Sequence, residues 1–338
     1  MLTGFMHLMS FLGSAAFYAP LLMIVYWCVS PRAGARIAVV LSLGSVLNTM
    51  LKLVFHAPRP YWTDPSVIGR EPIDSFGMPS GHAQNSVVAW GMAAARVRRR
   101  PVWAGAAAVV VLIGASRVYL GVHSPGQVLA GWAIGAALLA AALVLEPLLV
   151  PWWARRPIGV QLALALAVST GFLAGAQAAL EALRDWTWPA AWERAIAAAG
   201  GGVHPLTLDE CAAASGGLFG LLAGLSLLAR RGWFRPADGW WRRPAALAAG
   251  LAGALAIYTL GLFLGTRPVP GFAVHALLGL WIAAGAPETF VRLRLAARPA
   301  GRPTGGATGG ATGGATGGAG GITRAVTRAG GERAGQRP

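Results

Sequence analysis

The chain has 338 residues, 55% of them apolar and only 12% charged, with a mean hydropathy of +0.56. Soluble globular domains carry about 25% charged residues, so this composition excludes an ordinary soluble protein and points to the bilayer. A net charge of +16 at pH 7 does not indicate nucleic acid, because the arginines sit in short clusters between apolar runs, as membrane loops do.

Nine apolar runs approach the roughly 17–25 residues a membrane helix needs. They lie near 11–30, 37–55, 81–97, 102–117, 126–149, 158–180, 211–229, 244–265 and 272–291. The third and fourth are the shortest. Many are rich in Ala and Gly, which lets membrane helices approach closely. No stretch alternates apolar and polar residues as a barrel strand would. The expected fold is therefore all-α, a polytopic membrane bundle of about nine helices. The first ten residues hold no Lys or Arg, so the N-terminus reads as retained rather than as a cleaved signal. Cys28 and Cys211 both lie in apolar runs and form no disulfide or metal-ligand pattern. From about Pro299 the chain turns to Gly, Ala, Thr and Arg, with GGAT repeats too poor in apolar side chains to build a core. Residues 299–338 are expected to be a disordered tail.

Charge sets the expected orientation. Arg32 and Arg36, the cluster from Arg96 to Arg100, Arg155 and Arg156, the cluster from Arg230 to Arg243, and the arginines after Val291 all fall in alternate gaps. The other side holds only Lys52, Arg59, Arg70, Arg117, Arg184, Arg194 and Arg267, together with most of the acids. The basic side is expected to be cytoplasmic, which puts the N-terminus outside the cell membrane and the C-terminus inside.

Three polar clusters interrupt the apolar pattern, all on the expected outer side. They are KLVFHAPRP from Lys52 to Pro60, PSGH from Pro79 to His82, and Ser116-Arg117 with His123 six residues on. Buried cations at membrane depth are costly unless they serve a site. Lys52, Arg59 and Arg117 supply three positive charges. An arginine fork matches phosphate oxygens in a bidentate manner, and a lysine acts as a point charge. Ser80 and Gly81 open a helix, where free N–H groups and the dipole favour an anion. Two histidines beside a phosphate cradle suit phosphoryl transfer, one as nucleophile and one as general acid.

In this order and spacing, Lys52-x6-Arg59-Pro60, Pro79-Ser80-Gly81-His82 and Ser116-Arg117-x5-His123 resemble the three signature motifs of the type 2 phosphatidic acid phosphatase (PAP2) superfamily. The resemblance covers about residues 45–135. It implies that His123 attacks phosphorus to form a phosphohistidine, and that His82 protonates the leaving oxygen and then helps activate water. Lys52, Arg59, Ser80, Gly81 and Arg117 would hold the phosphoryl oxygens. It also implies a metal-independent reaction with no cofactor, in which protein cations neutralise the transition state. A six-helix core would occupy 1–180, and 181–298 would be an added three-helix membrane region. One position departs from the pattern: the acid usual four residues after the nucleophile is Gln127. A Gln carbonyl can accept the ring N–H and orient it, but brings no charge.

The implied function is a membrane phosphatase acting on a lipid phosphate or polyprenyl diphosphate at the outer face, with the bilayer and that lipid as its partners. The alternatives are a phosphotransferase with an acceptor other than water, and a non-catalytic lipid-binding or transport protein whose site has degenerated. Elsewhere the plainer readings are preferred. His7, His204 and His275 read as interfacial packing, and Asp64, Glu71 and Asp74 as solvated loop charges. Trp152, Trp153, Trp186, Trp188, Trp192, Trp240 and Trp241 read as an interfacial belt. The amphipathic segment EALRDWTWPAAWERA lies along the surface, with a lid over the site as its sharper reading.

Overall fold

The computed structural model describes residues 1–299 except Val203, His204 and Thr266. Most of the expected tail, and His204, lie outside the described residues. The fold is helical throughout, apart from a two-residue antiparallel pairing of Arg235–Pro236 with Ala296–Ala297. In chain order the helices are α1 (Leu2–Phe11), α2 (Ala15–Ile24), α3 (Pro31–Phe55), α4 (Pro60–Thr63), α5 (Gly81–Val97), α6 (Arg100–Tyr119) and α7 (Pro125–Ala154). Then come α8 (Ile158–Ala182), α9 (Ala190–Ala198), α10 (Asp209–Arg230), α11 (Arg242–Leu264), α12 (Pro268–Leu280) and α13 (Ala286–Arg292). Five-residue π-helical turns extend α2 through Val29 and join α12 to α13 across Trp281–Gly285.

Among the described residues, seven helices are long and apolar enough to cross a membrane, or eight if one bent pair is a single span. The expected count is nine, and the criterion of length and apolarity counts seven or eight of these. Each of the nine apolar runs is helical, but α5 has only 17 residues, and the first run is broken. There α1 and α2 meet at 51°. The break falls at Leu12–Ser14, where Ser14 caps α2 by accepting a hydrogen bond from the Phe17 N–H.

Local chemistry starts and stops the helices around the site. Pro31 and Pro125 stand at the first turns of α3 and α7, where a missing N–H costs nothing. The start of α7 is a capping box in which Ser124 and Gln127 bond reciprocally to each other's backbone. Helix α3 ends at His56, whose φ of 34° puts it in the left-handed region, with Pro58 just beyond.

Small residues set the packing distances. A Cβ on Gly131 of α7 would stand 2.5 Å from the Ser80 carbonyl, and one on Gly135 would stand 2.6 Å from the Gln84 carbonyl. Helix α7 therefore lies directly against the start of α5. Gly216 and Gly220 of α10 likewise face the Phe272 and Ala276 carbonyls, so α10 meets the α12 backbone with no side chain between, and Gly224 faces the Ala283 methyl in the π turn beyond. Helix α10 also packs on α8 and α3. Its apolar stretch is 61% buried, against 28% or less for every other candidate span.

The two π-helical turns interlock. The Tyr26 hydroxyl donates to the Ala283 carbonyl at 2.6 Å and the Trp27 indole to the Ile282 carbonyl at 3.0 Å. A π turn shifts carbonyls out of the α-helical register, and both acceptors lie inside the Trp281–Gly285 turn. Residues Met1–Pro299 form one compact unit.

Candidate active site

The three clusters converge through the loop between α4 and α5. Arg59 caps α4 and is only 1% exposed. Its Nε donates to the Ser75 carbonyl at 2.7 Å, its Nη1 to the Val122 carbonyl at 2.9 Å and its Nη2 to the Phe76 carbonyl at 3.1 Å. One guanidinium thus pins the loop at 75–76 to the turn before His123. The same Nη1 stands 3.1 Å from His123 Nε2.

His123 sits in the turn between α6 and α7, almost wholly buried. Its Nδ1 faces two acceptors, the Gly77 carbonyl at 2.8 Å and Gln127 Oε1 at 3.2 Å. Nδ1 therefore carries the proton, and the lone pair lies on Nε2, turned toward Arg59. Burial lowers the pKa of this imidazole well below its ordinary value. The charges of Arg59, Arg117, Lys52 and His82 add to the effect, so the ring is neutral at neutral pH.

Gln127 is held at both ends of its amide. Its Oε1 also accepts from the Ser124 N–H at 3.1 Å, and its Nε2 donates to the Pro58 carbonyl at 2.8 Å. This pairing fixes which end of the amide meets the imidazole. A Cβ on Gly77 would come within 2.6–2.8 Å of the Gln127 amide, so only glycine lets that carbonyl reach His123 beside Gln127.

Lys52, near the end of α3, donates to Ser75 Oγ at 2.7 Å, and the same hydroxyl lies 3.5 Å from Arg59 Nη2. Ser80 is fully buried as the N-cap of α5. Its N–H donates to the Gln127 carbonyl at 3.1 Å. As the first two helical residues, Gly81 and His82 keep N–H groups with no partner one turn earlier. A Cβ on Gly81 would lie 3.1 Å from Asn48 Oδ1. Asn48 Nδ2 reaches the Pro79 carbonyl at 3.3 Å and Gln84 Oε1 at 3.0 Å, bracing α5 against α3.

Arg117 is wholly buried near the end of α6. Its Nη1 bonds Glu71 and Ser10, while its Nε and Nη2 are buried with no partner. Buried guanidinium donors left unmet cost about 1–3 kcal/mol or more, so these two nitrogens are free to take an anionic acceptor. Glu71 also accepts from Ser10 at 2.9 Å and pairs with His7 at 2.8 Å. Burial disfavours its ionisation. The Arg117 charge and the hydrogen bonds from Arg117, His7 and Ser10 outweigh that penalty and hold the carboxyl below its ordinary value. The readings of Glu71 as a solvated loop charge and of His7 as interfacial packing are thus corrected: both belong to a clamp on Arg117. Asp64, exposed and bonded to Ser66, fits the solvated reading. Asp74 instead accepts from the Gly202 N–H at 2.8 Å.

The α1–α2 elbow covers this end of the site. A Cβ on Gly13 would lie 3.3 Å from the His82 ring, and α1 delivers His7 and Ser10 to Glu71. The expected tryptophan belt is modified here. Trp186 and Trp192 pack inward, with ring centroids 6.2 Å from Phe76 and 6.0 Å from Trp62 respectively. The segment around α9 thereby rests on the loop that carries Ser75, Phe76 and Gly77. The sequence reading missed Ser75, Gly77, Glu71, Ser10 and Asn48, most of which act through a backbone atom or a partner distant in the chain.

Fold and site together define a multi-span helical membrane protein with a buried histidine–arginine centre. Residues 33–150 match the PAP2 superfamily, and residues 212–298 match the transmembrane extension of a PAP2 superfamily phosphatase. Phosphatidylglycerophosphatase B of Bacillus subtilis is 30% identical over 150 residues, covering 40% of this chain and 70% of the relative. Undecaprenyl-diphosphatase of Sulfolobus acidocaldarius is 31% identical over 107 residues, covering 31% and 50%. Sphingosine-1-phosphate phosphatase 2 of Mus musculus is 28% identical over 135 residues, covering 38% of each. No solved structure matches the chain. The chain belongs to the PAP2 superfamily and is a membrane phosphatase.

Proposed function

We propose that this protein hydrolyses a lipid phosphate or polyprenyl diphosphate at the outer membrane face through a phosphohistidine. The observation that carries the reading is the His123 ring: Nδ1 is held by the Gly77 carbonyl and Nε2 is turned to Arg59. Nε2 attacks phosphorus, the P–O bond to the lipid breaks, and His82 gives a proton to the departing oxygen. Water then attacks phosphorus, His82 takes the water's proton, the P–Nε2 bond breaks, and free phosphate leaves with His123 restored. Arg59 exchanges its contact with Nε2 for a phosphoryl oxygen. Lys52, Arg117 and the N–H groups at the start of α5 share the remaining charge. Ser80 supports this cradle as its helix cap, and Gln127 orients the ring.

Three relatives that the chain resembles bear the names of lipid phosphatases with different lipids, which supports the lipid class and leaves the head group open. The arginine distribution supports a cytoplasmic C-terminus. The test is phosphate release from a panel of purified lipid phosphates and polyprenyl diphosphates, with EDTA present. The wild type is expected to release free phosphate and to be inhibited by vanadate, and His123→Ala to lose turnover. Wild-type rates from His123→Ala would remove the mechanism. Label passing to another acceptor instead of to free phosphate would make the protein a phosphotransferase.

A further inference from the structure

A second chemical site lies at the far end of α10. A cavity of about 340 Å³ opens between the last turn of α10 and the π turn Trp281–Gly285, lined by Leu227, Arg231, Trp281, Glu288 and Arg292 among others. That volume falls within the roughly 300–1,000 Å³ of small-molecule pockets. The π turn shapes the cavity, because its wider backbone turns Trp281 across to the Gly250 carbonyl, 2.9 Å from the indole nitrogen.

The charges around the cavity do not balance. Three arginines converge on the single carboxylate of Glu288. Arg298 takes it with a direct hydrogen bond of 2.6 Å. Arg231 and Arg292 stand at 3.8 and 4.0 Å, beyond hydrogen-bond reach. These two line the cavity, so their donors stay available beside a wall of leucine and tryptophan. Helix α10 has 22 residues, and at about 1.5 Å per residue its two ends are about 30 Å apart. Its other end begins at Asp209, and the adjacent Glu210 shares a small cavity with Lys52 and Ser75. The arginine cavity is therefore remote from the phosphatase centre.

We infer that this cavity binds an anionic phospholipid, with its phosphate between Arg231 and Arg292 and an acyl chain along Leu227 and Trp281. An apolar wall with surplus arginines at one mouth matches such a molecule at both ends. A zwitterionic head group would bring an ammonium into a region that is already cationic.

The test uses the purified full-length protein in neutral detergent, with dioleoyl phosphatidylglycerol as probe and native mass spectrometry or lipid-dependent thermal stabilisation as readout. Phosphatidylglycerol is expected to bind more tightly than phosphatidylcholine. Arg231→Gln with Arg292→Gln should weaken it about thirtyfold. Glu288→Gln should tighten it, a gain that misfolding cannot mimic. A monodisperse elution profile checks that each variant is folded. Equal binding of the two lipids, or unchanged phosphatidylglycerol binding in the double variant, would overturn the assignment. So would displacement of the lipid by equimolar glycerol 3-phosphate, which would make this a free-anion site.

Discussion

Gln127 stands where an acid is usual, yet the His123 ring is oriented by two oxygens, and the Gly77 carbonyl is the nearer of them. A neutral hydrogen bond contributes about 0.5–1.5 kcal/mol. Gln127→Ala is therefore expected to lower kcat/KM only about 3- to 10-fold, against the roughly 10⁴-fold loss seen when a triad acid is removed. Steady-state kinetics on a lipid phosphate checks this. Gly77→Ala should cost more, because its Cβ would strike the Gln127 amide and move both acceptors together. Two groups fix the pH dependence. His123 titrates well below the ordinary value of about 6.5, so the acid limb of the kcat/KM profile that reports its protonation should lie below pH 6.5. Glu71 is held below the ordinary glutamate value by its clamp on Arg117. Its stabilisation is present above the unfolded value of about 4.3 and is lost as pH falls through the lowered folded value. Unfolding measured from pH 7 to pH 3 should show a loss of stability in that acid range, and Glu71→Gln should abolish that part of it.

Helix α10 offers a sharp test of packing. Gly220 lies against the Ala276 backbone, whereas Gly217, three residues earlier, has open space where its Cβ would go. Gly220→Leu should destabilise by about 1–3 kcal/mol through overpacking. Gly217→Ala should be stable within about 0.5 kcal/mol. Thermal unfolding in detergent separates the two, and similar losses from both would count against the packing described here. The element scale also shows where a sequence stops being legible. The apolar runs located most of the long helices, but left α1 and α9 outside any run. They did not disclose the 51° elbow between α1 and α2, because hydropathy carries no direction. Nor did they disclose that His7 and Ser10 meet Glu71, more than sixty residues away. A lone histidine and a loop acid look solvated until the fold sets the acid between that histidine and Arg117.

Across the whole molecule, the region that the sequence reads as an addition supplies the most buried span. Helix α10 packs on α3, α8 and α12, while its neighbour α11 is only 6% buried along its apolar stretch. A chain ending before Asp209 is expected to lose the face that covers α3 and α8 and to aggregate in detergent, and the intact chain to give a single elution peak. The sequence by itself determined the class of fold, the three polar clusters and the chemistry they imply. Apolar length, arginine placement and the local spacing of Lys52 to Arg59, Pro79 to His82 and Arg117 to His123 are all properties written along the chain. Only the tertiary structure decided that Gly77 and Gln127 share the His123 N–H, that Glu71 leaves two Arg117 nitrogens unpartnered, and that α10 lies at the centre. Those outcomes depend on backbone carbonyls and on contacts between segments far apart in sequence, where burial and the need to satisfy every polar group, rather than residue type, select the partner.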